Sequence, residues 1–206
     1  MDRAAPDPAA QRRTVLAGMA VAGPAAALAW LGVYRLVPAA AIARGASDPI
    51  RFALGWLAVA VLLCLVTGVE AIAHRRLFTP AIDPLAGAEP PAMKVDQRYL
   101  QQTLEQTLVF AVGLFGLAAF AAPEAAARAI AATSVVWILS RWAFWIGYRR
   151  APRFRAPGLV GMVQSLLVLL WVAWQFGNAA AGRPWGALPV ALFLAIEALL
   201  LVQAAR

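Results

Sequence analysis

Six long apolar stretches dominate this sequence, and each is long enough to cross a lipid bilayer as a helix. They predict spans at residues 13–39, 50–73, 96–122, 123–148, 159–176 and 185–205. A chain inside hydrocarbon must satisfy its own backbone hydrogen bonds, which only helices and closed barrels do. With 63% hydrophobic and 14% charged residues, the chain is predicted to be an all-α integral membrane protein of about six spans.

Prolines and short polar residues mark the ends of these helices. Asp48 and Pro49 form a helix-start signal, with Pro at the first helical position. The proline-rich segment 77–95 is predicted to be a polar loop, and Pro123 follows span three so closely that spans three and four should form a tight hairpin. Residues 1–12 are predicted to be disordered, and span six either crosses the membrane or lies against its neighbours.

The first span admits another interpretation, because Arg12 and Arg13 precede it as they would in a signal peptide. The apolar stretch continues past Trp30 and Tyr34, however, and is longer than the roughly 7–15 residues of a signal core. More membrane helices follow it, rather than an exported soluble domain. We therefore predict a transmembrane helix.

The basic residues predict the orientation. On this topology most of the eighteen fall on one side of the membrane, and five, namely Arg35, Arg44, Arg51, Arg128 and Arg183, fall on the other. The more basic side, which includes both termini, is expected to be cytoplasmic. The net charge of +8 is explained by membrane anchoring and anion binding, so no nucleic-acid partner is expected. Cys64 and His74 are the only residues of their types, so no metal site is predicted.

One polar stripe stands out in this apolar background. Arg98, Gln102 and Glu105 lie at i, i+4 and i+7 and therefore share one face of the third span. Ordinary packing does not require three long polar side chains there, and ionisable residues at membrane depth are functional candidates. Arginines beside a carboxylate suit a small anionic ligand that also carries an amine, such as a thiol peptide. A nearby arginine would also stabilise the thiolate of such a peptide.

The fourth span carries a second stripe, formed by Arg141, Trp145 and Tyr148. Because a buried arginine requires an anion, we predict an ion pair between Arg141 and Glu105. The basic residues at neighbouring helix ends converge on the same membrane face. These residues are Arg75, Arg76, Arg149 and Arg150. They either bind the ligand or anchor lipid headgroups. Glu70 and His74, four positions apart, are interpreted as a simple side-chain pair at a helix end.

Three motifs resemble those of the MAPEG superfamily, the membrane-associated proteins in eicosanoid and glutathione metabolism. The segment RYLQQTLE, from Arg98 to Glu105, is similar to the family's RxxxNxxE signature. HRRLF, from His74, resembles the end of its first helix, and RWAFWIGY, from Arg141, with the arginines that follow, resembles its fourth-segment motif. The similarity covers about residues 50–176.

The resemblance implies a four-helix core at 50–176 that forms a homotrimer and binds glutathione as co-substrate between protomers. Span 13–39 and helix 185–205 would be additions to this core. The implied thiolate-stabilising residue is Arg155, with Arg153 as the alternative. With the convergent arginines included, the predicted ligand-binding residues are Arg75, Arg98, Gln102, Glu105, Arg141, Tyr148, Arg150 and Arg153.

Two positions depart from the family pattern. The motif's Asn is Gln102, and the position one turn before Tyr148, a tyrosine in some active members, is Phe144. Two functions therefore stay open. One is a glutathione transferase or peroxidase that acts on hydrophobic small molecules in a bacterial inner membrane. The other is a non-catalytic protein of the same fold that binds membrane lipids or serves as a scaffold.

Overall fold

The computed structural model describes residues 8–83, 85, 87–150, 154 and 156–204, and these form a helical bundle without strands. The helices are α1 Pro8–Leu36, α2 Ala39–Ser47, α3 Pro49–Ala60, α4 Thr67–Leu77, α5 Pro91–Phe120, α6 Pro123–Arg150, α7 Pro157–Ala181 and α8 Leu188–Ala204. A π-helical segment, Val61–Val66, joins α3 to α4, and short 3₁₀ turns lie at Pro80–Ile82 and Trp185–Ala187.

Six helices in the described residues are long and apolar enough to cross a membrane: 16–36, 49–77, 91–120, 123–150, 158–181 and 185–204. The predicted all-α membrane architecture with six spans is confirmed. The protein is an integral, multi-pass membrane protein.

Several predicted helix boundaries are confirmed. Asp48 caps α3 by accepting a hydrogen bond from the Arg51 backbone N–H at 2.9 Å, with Pro49 in the first turn. Only Ala121 and Ala122 separate α5 from α6, which makes the predicted tight hairpin.

Other boundaries differ from the prediction. The first span ends at Leu36, and the separate helix α2 begins at Ala39, after Pro38, because the residue before a proline is disfavoured in helical conformation. At the other end α1 already begins at Pro8, so residues 8–12 are helical rather than disordered, while residues 1–7 lie outside the described residues. Helix α5 begins at Pro91 rather than Asp96, since a proline in the first turn lacks an N–H that would be unpaired there anyway.

Helix α6 is the centre of the bundle, and it packs against α1, α2, α3, α5 and α7. Its Trp137 is fully buried and stacks on Phe110 of α5 at a ring distance of 4.6 Å. Helix α8 contacts α7 and the preceding 3₁₀ turn, and none of its residues is buried. This is the surface expected of a helix that faces lipid.

Candidate functional site

Three helix ends meet around one buried carboxylate. Asp96, in the second turn of α5, is completely buried and joins the last turns of α4 and α6. It accepts hydrogen bonds from Arg75 Nε at 2.6 Å and Trp145 Nε1 at 2.8 Å. It also accepts from Arg149 Nε at 2.8 Å and Nη2 at 3.0 Å. We call Asp96, Arg75, Arg149 and Trp145 the Asp96 cluster.

The Asp96 cluster leaves positive charge at the surface. One carboxylate faces two guanidinium groups, whose side chains keep 35% (Arg75) and 39% (Arg149) of their surface exposed. The carboxylate therefore orients the two arginines without neutralising both of them. Sequence reasoning missed this arrangement because it took Asp96 for a helix start. The signal was the spacing of Asp96, Tyr99 and Thr103, which places all three on the buried face of α5.

Aromatic rings pack against the Asp96 cluster. Tyr99 stacks on Trp145 at 4.6 Å and contacts Phe144 at 6.1 Å, while the Arg149 guanidinium lies 4.3 Å from the Trp145 ring centre. The Tyr99 hydroxyl donates to the Cys64 carbonyl at 3.0 Å, within the π-helical segment. This packing fixes the rotation of α5 against α4 and α6.

The predicted ion pair between Glu105 and Arg141 is wrong. Arg141 is 1% exposed and donates from Nη2 to the Gly158 carbonyl at 2.8 Å, with its guanidinium 5.0 Å from the Phe144 ring centre. Glu105 is exposed on the opposite face of α5 and accepts from Gln101 Nε2 at 3.2 Å. The two residues match in depth along their helices, but Tyr99 occupies the inner face of α5, so Glu105 points outward.

The predicted stripe on α5 is an outward-facing polar ladder. Arg98 Nη1 donates to Gln101 Oε1 at 3.2 Å, and Gln101 in turn donates to Glu105. These residues and Gln102 are all exposed. We call Arg98, Gln101, Gln102 and Glu105 the α5 ladder.

The remaining predicted residues are divided between the interior and the surface. Tyr148 is half-buried and stacks on Phe144 at 5.5 Å, so the second stripe lies on the inner face of α6 together with Arg141 and Trp145. Arg150 is exposed. Arg153 and Arg155 lie outside the described residues.

A shallow groove of about 480 Å³ runs beside the ladder between α4 and α5. Arg76, Gln97 and Gln101 contribute polar groups to it, and Val69, Ile72 and Leu104 contribute apolar ones. Glu70 and His74 form an exposed pair at 3.7 Å near the end of α4, as their spacing indicated. Gln101 belongs both to the groove and to the α5 ladder, so the ladder borders a groove that also carries Arg76 and apolar side chains.

Residues 52–175, more than half of the chain, match the profile of the MAPEG family. The chain belongs to the MAPEG family. No curated protein matches it. Membership places the chain among the membrane-associated proteins of eicosanoid and glutathione metabolism. The MAPEG match includes the α5 ladder and the Asp96 cluster, whereas α1, α2 and α8 lie outside it.

Proposed function

We propose that this protein is a glutathione-dependent membrane transferase or peroxidase that acts on hydrophobic electrophiles or lipid peroxides. The observation that carries the proposal is the α5 ladder, a polar face turned outward on a membrane helix. An exposed row of ionisable groups at a membrane edge is costly unless it meets a ligand or another protomer.

The ladder offers the groups that glutathione would need. Glutathione carries two carboxylates, an ammonium group and a thiol. Arg98 supplies a guanidinium for a carboxylate, and Glu105, 7 positions on, supplies a carboxylate for the ammonium. Gln101 and Gln102 add amide donors and acceptors between them. Arg75, Tyr148 and Arg150 lie at the same end of the bundle and are the proposed contacts for the rest of the peptide. Arg141, being buried, is proposed to support the site rather than to touch the ligand.

A second protomer would complete such a site. The ladder lies on the outside of its own bundle, so a ligand bound there is covered on one side only. We propose that the protein is a homotrimer in which a neighbouring copy covers the ladder, as the family resemblance implies. The basic end, with both termini, is proposed to be cytoplasmic in a bacterial inner membrane.

The proposed reaction needs little more than a stabilised thiolate. The thiol gives its proton to water, and the sulfur attacks an electrophilic carbon that arrives from the lipid phase. A carbon–sulfur bond forms, and the leaving group departs with the bonding electron pair. Arg155 is proposed to hold the thiolate, since a nearby arginine lowers the pKa of a thiol. Arg153 is the alternative.

Loss of the thiolate-stabilising arginine should reduce turnover strongly. We expect Arg155→Ala to lower kcat with 1-chloro-2,4-dinitrobenzene and glutathione by about a hundredfold, the effect of removing one preorganised donor to a developing anion. KM for glutathione should change little. Arg44→Ala is the control, because it also removes one arginine, from the exposed surface of α2 outside the family match, and it should retain activity. Equal losses in both variants, or none in either, would rule out this role for Arg155.

A second function is favoured by one specific contact. Phe144 is 4% exposed and is packed between Tyr99 and Tyr148, so no hydroxyl is present at that position to assist a thiolate. A non-catalytic protein that binds lipids or serves as a scaffold would tolerate this substitution. Calorimetry separates the two functions, since a scaffold would bind fatty-acid-like ligands and ignore glutathione.

A further inference from the structure

A cavity of about 560 Å³ lies between α1 and the family core. Helices α5, α6 and α7 form its inner walls and α1 forms its outer wall. Its principal lining residues are Trp30, Tyr34, Leu117, Ala129, Gln164 and Trp171. The volume falls within the range of small-molecule sites, roughly 300–1,000 Å³. Because α1 lies outside the matched region, this cavity does not belong to the family core alone.

The cavity is separate from the proposed thiol site. On α5 its lining begins at Leu117, 12 positions after Glu105, the nearest residue of the α5 ladder. At the helical rise per residue the two positions are about 18 Å apart. A ligand in the cavity would therefore not touch the α5 ladder. Its outer edge includes Ala27 and Leu31, which are exposed on the surface of α1 and give access from the lipid phase.

The walls are shaped for an apolar molecule. Trp30 and Tyr34 stack on each other at 4.9 Å on the α1 side. Small side chains, such as Ala125 and Ala129 of α6, also line the cavity. Aromatic rings opposite small residues leave a slot that suits a flat ring system or a branched hydrocarbon chain.

One polar group in this wall has an unmet hydrogen bond. Gln164 is 3% exposed, and its Nε2 donates to the Thr133 carbonyl at 2.7 Å. That bond fixes the orientation of the amide, because only the nitrogen donates to a carbonyl. Trp30 Nε1 donates to the Thr133 hydroxyl at 2.9 Å, so the indole N–H of Trp30 already has a hydrogen-bond partner. Gln164 Oε1 has no partner among the described residues, which is unfavourable for a buried acceptor.

We propose that the cavity binds a lipid-soluble small molecule that carries a hydroxyl or amide donor, and that Gln164 Oε1 accepts its hydrogen bond. The apolar walls hold the body of the molecule. The single acceptor sets its orientation and distinguishes an alcohol from the corresponding ether. Helix α1 thus gives this chain a second binding site, independent of the thiol.

Paired probes test the proposal. The detergent-purified protein is photolabelled with a diazirine derivative of farnesol, and the label is competed with farnesol or with its methyl ether. We expect labelled peptides from α1 and α7, with farnesol competing about three- to tenfold better than the ether, the effect of one net hydrogen bond. Equal competition in the wild-type protein, or labelling elsewhere, would overturn the proposal, and this comparison needs no variant.

Two variants make the test more specific. Gln164→Leu removes the acceptor at similar volume, so the preference for farnesol over its ether should disappear while labelling persists. Ala27→Trp fills the cavity from its exposed edge, so the amount of label should fall. Farnesol should still compete better than its methyl ether for the label that remains. A preference for farnesol that survives in Gln164→Leu would show that this amide does not bind the ligand.

Discussion

Asp96→Ala is expected to lower the free energy of unfolding by about 2–4 kcal/mol, somewhat less than the loss of one partner from a fully buried ion pair. The substitution leaves Arg75, Arg149 and the Trp145 indole without their common acceptor. The two arginines are partly exposed and would recover some hydration, whereas the buried indole N–H would not. Unfolding in mixed detergent micelles, followed by circular dichroism, measures the change.

Two further variants separate the carboxylate's charge from its shape. Asp96→Asn keeps the size but loses the charge, and it should be less destabilising than Asp96→Ala. Asp83→Ala removes an exposed carboxylate that accepts from the Leu85 N–H, and it should change stability by less than about 0.5 kcal/mol. If Asp96→Ala behaved like Asp83→Ala, the cluster would not join the three helix ends in the way that we describe.

Gly116→Ala should also destabilise the fold, by about 1–3 kcal/mol, the cost of overpacking a close helix contact. A Cβ at this position would lie 2.3 Å and 2.5 Å from the two Cγ atoms of Val172 on α7. Valine is stiff at χ1, so the helices must separate to relieve the clash. The same unfolding assay measures the effect.

Gly55→Ala provides the matched control for this substitution. It makes the same change inside helix α3, but a Cβ there meets no atom within 4 Å. Because alanine is the better helix former, this variant should be neutral or more stable by up to about 1 kcal/mol. Destabilisation by Gly55→Ala of the same size as by Gly116→Ala would mean that helix geometry, and not contact with Val172, determines the effect.

The membrane spans could be predicted because their signals are local. Length and apolarity identify a span, and prolines such as Pro49 and Pro123 mark the first turns. Gly113 and Gly116 likewise indicate that another helix can approach α5 closely, although they do not indicate which one, and in the structure it is α7. These features depend on a few adjacent residues, and the structure confirms them.

The rotation of α5 could not be predicted in the same way. Both faces of its first turns carry polar residues, with Asp96 and Thr103 on one side and Arg98 and Glu105 on the other. Periodicity shows which residues share a face, but it does not show which face packs inward. The aromatic contacts of Tyr99 decide this, and they depend on α6, which is distant in sequence. This is why the Asp96 cluster was missed and the pair of Arg141 with Glu105 was wrong.

The Asp96 cluster and the α5 ladder lie on opposite faces of the same helical turns, so the packing of one determines the orientation of the other. The cluster holds α5 against α4 and α6, and this packing turns Arg98 and Glu105 outward. A variant that loosens the cluster should therefore weaken ligand binding indirectly, whereas a ladder variant should weaken binding at unchanged stability.

The most direct test of the central claim is glutathione binding to the purified protein, measured by calorimetry and by the ultraviolet absorbance of the thiolate. We expect Arg98→Ala to weaken binding at least about tenfold, the loss of one charge-assisted hydrogen bond, and to reduce the thiolate signal. Arg44→Ala, which removes an exposed arginine from α2, should bind as the wild type does. The account would be contradicted if Arg98→Ala bound glutathione as tightly as the wild-type protein does, or if the wild-type protein did not bind it.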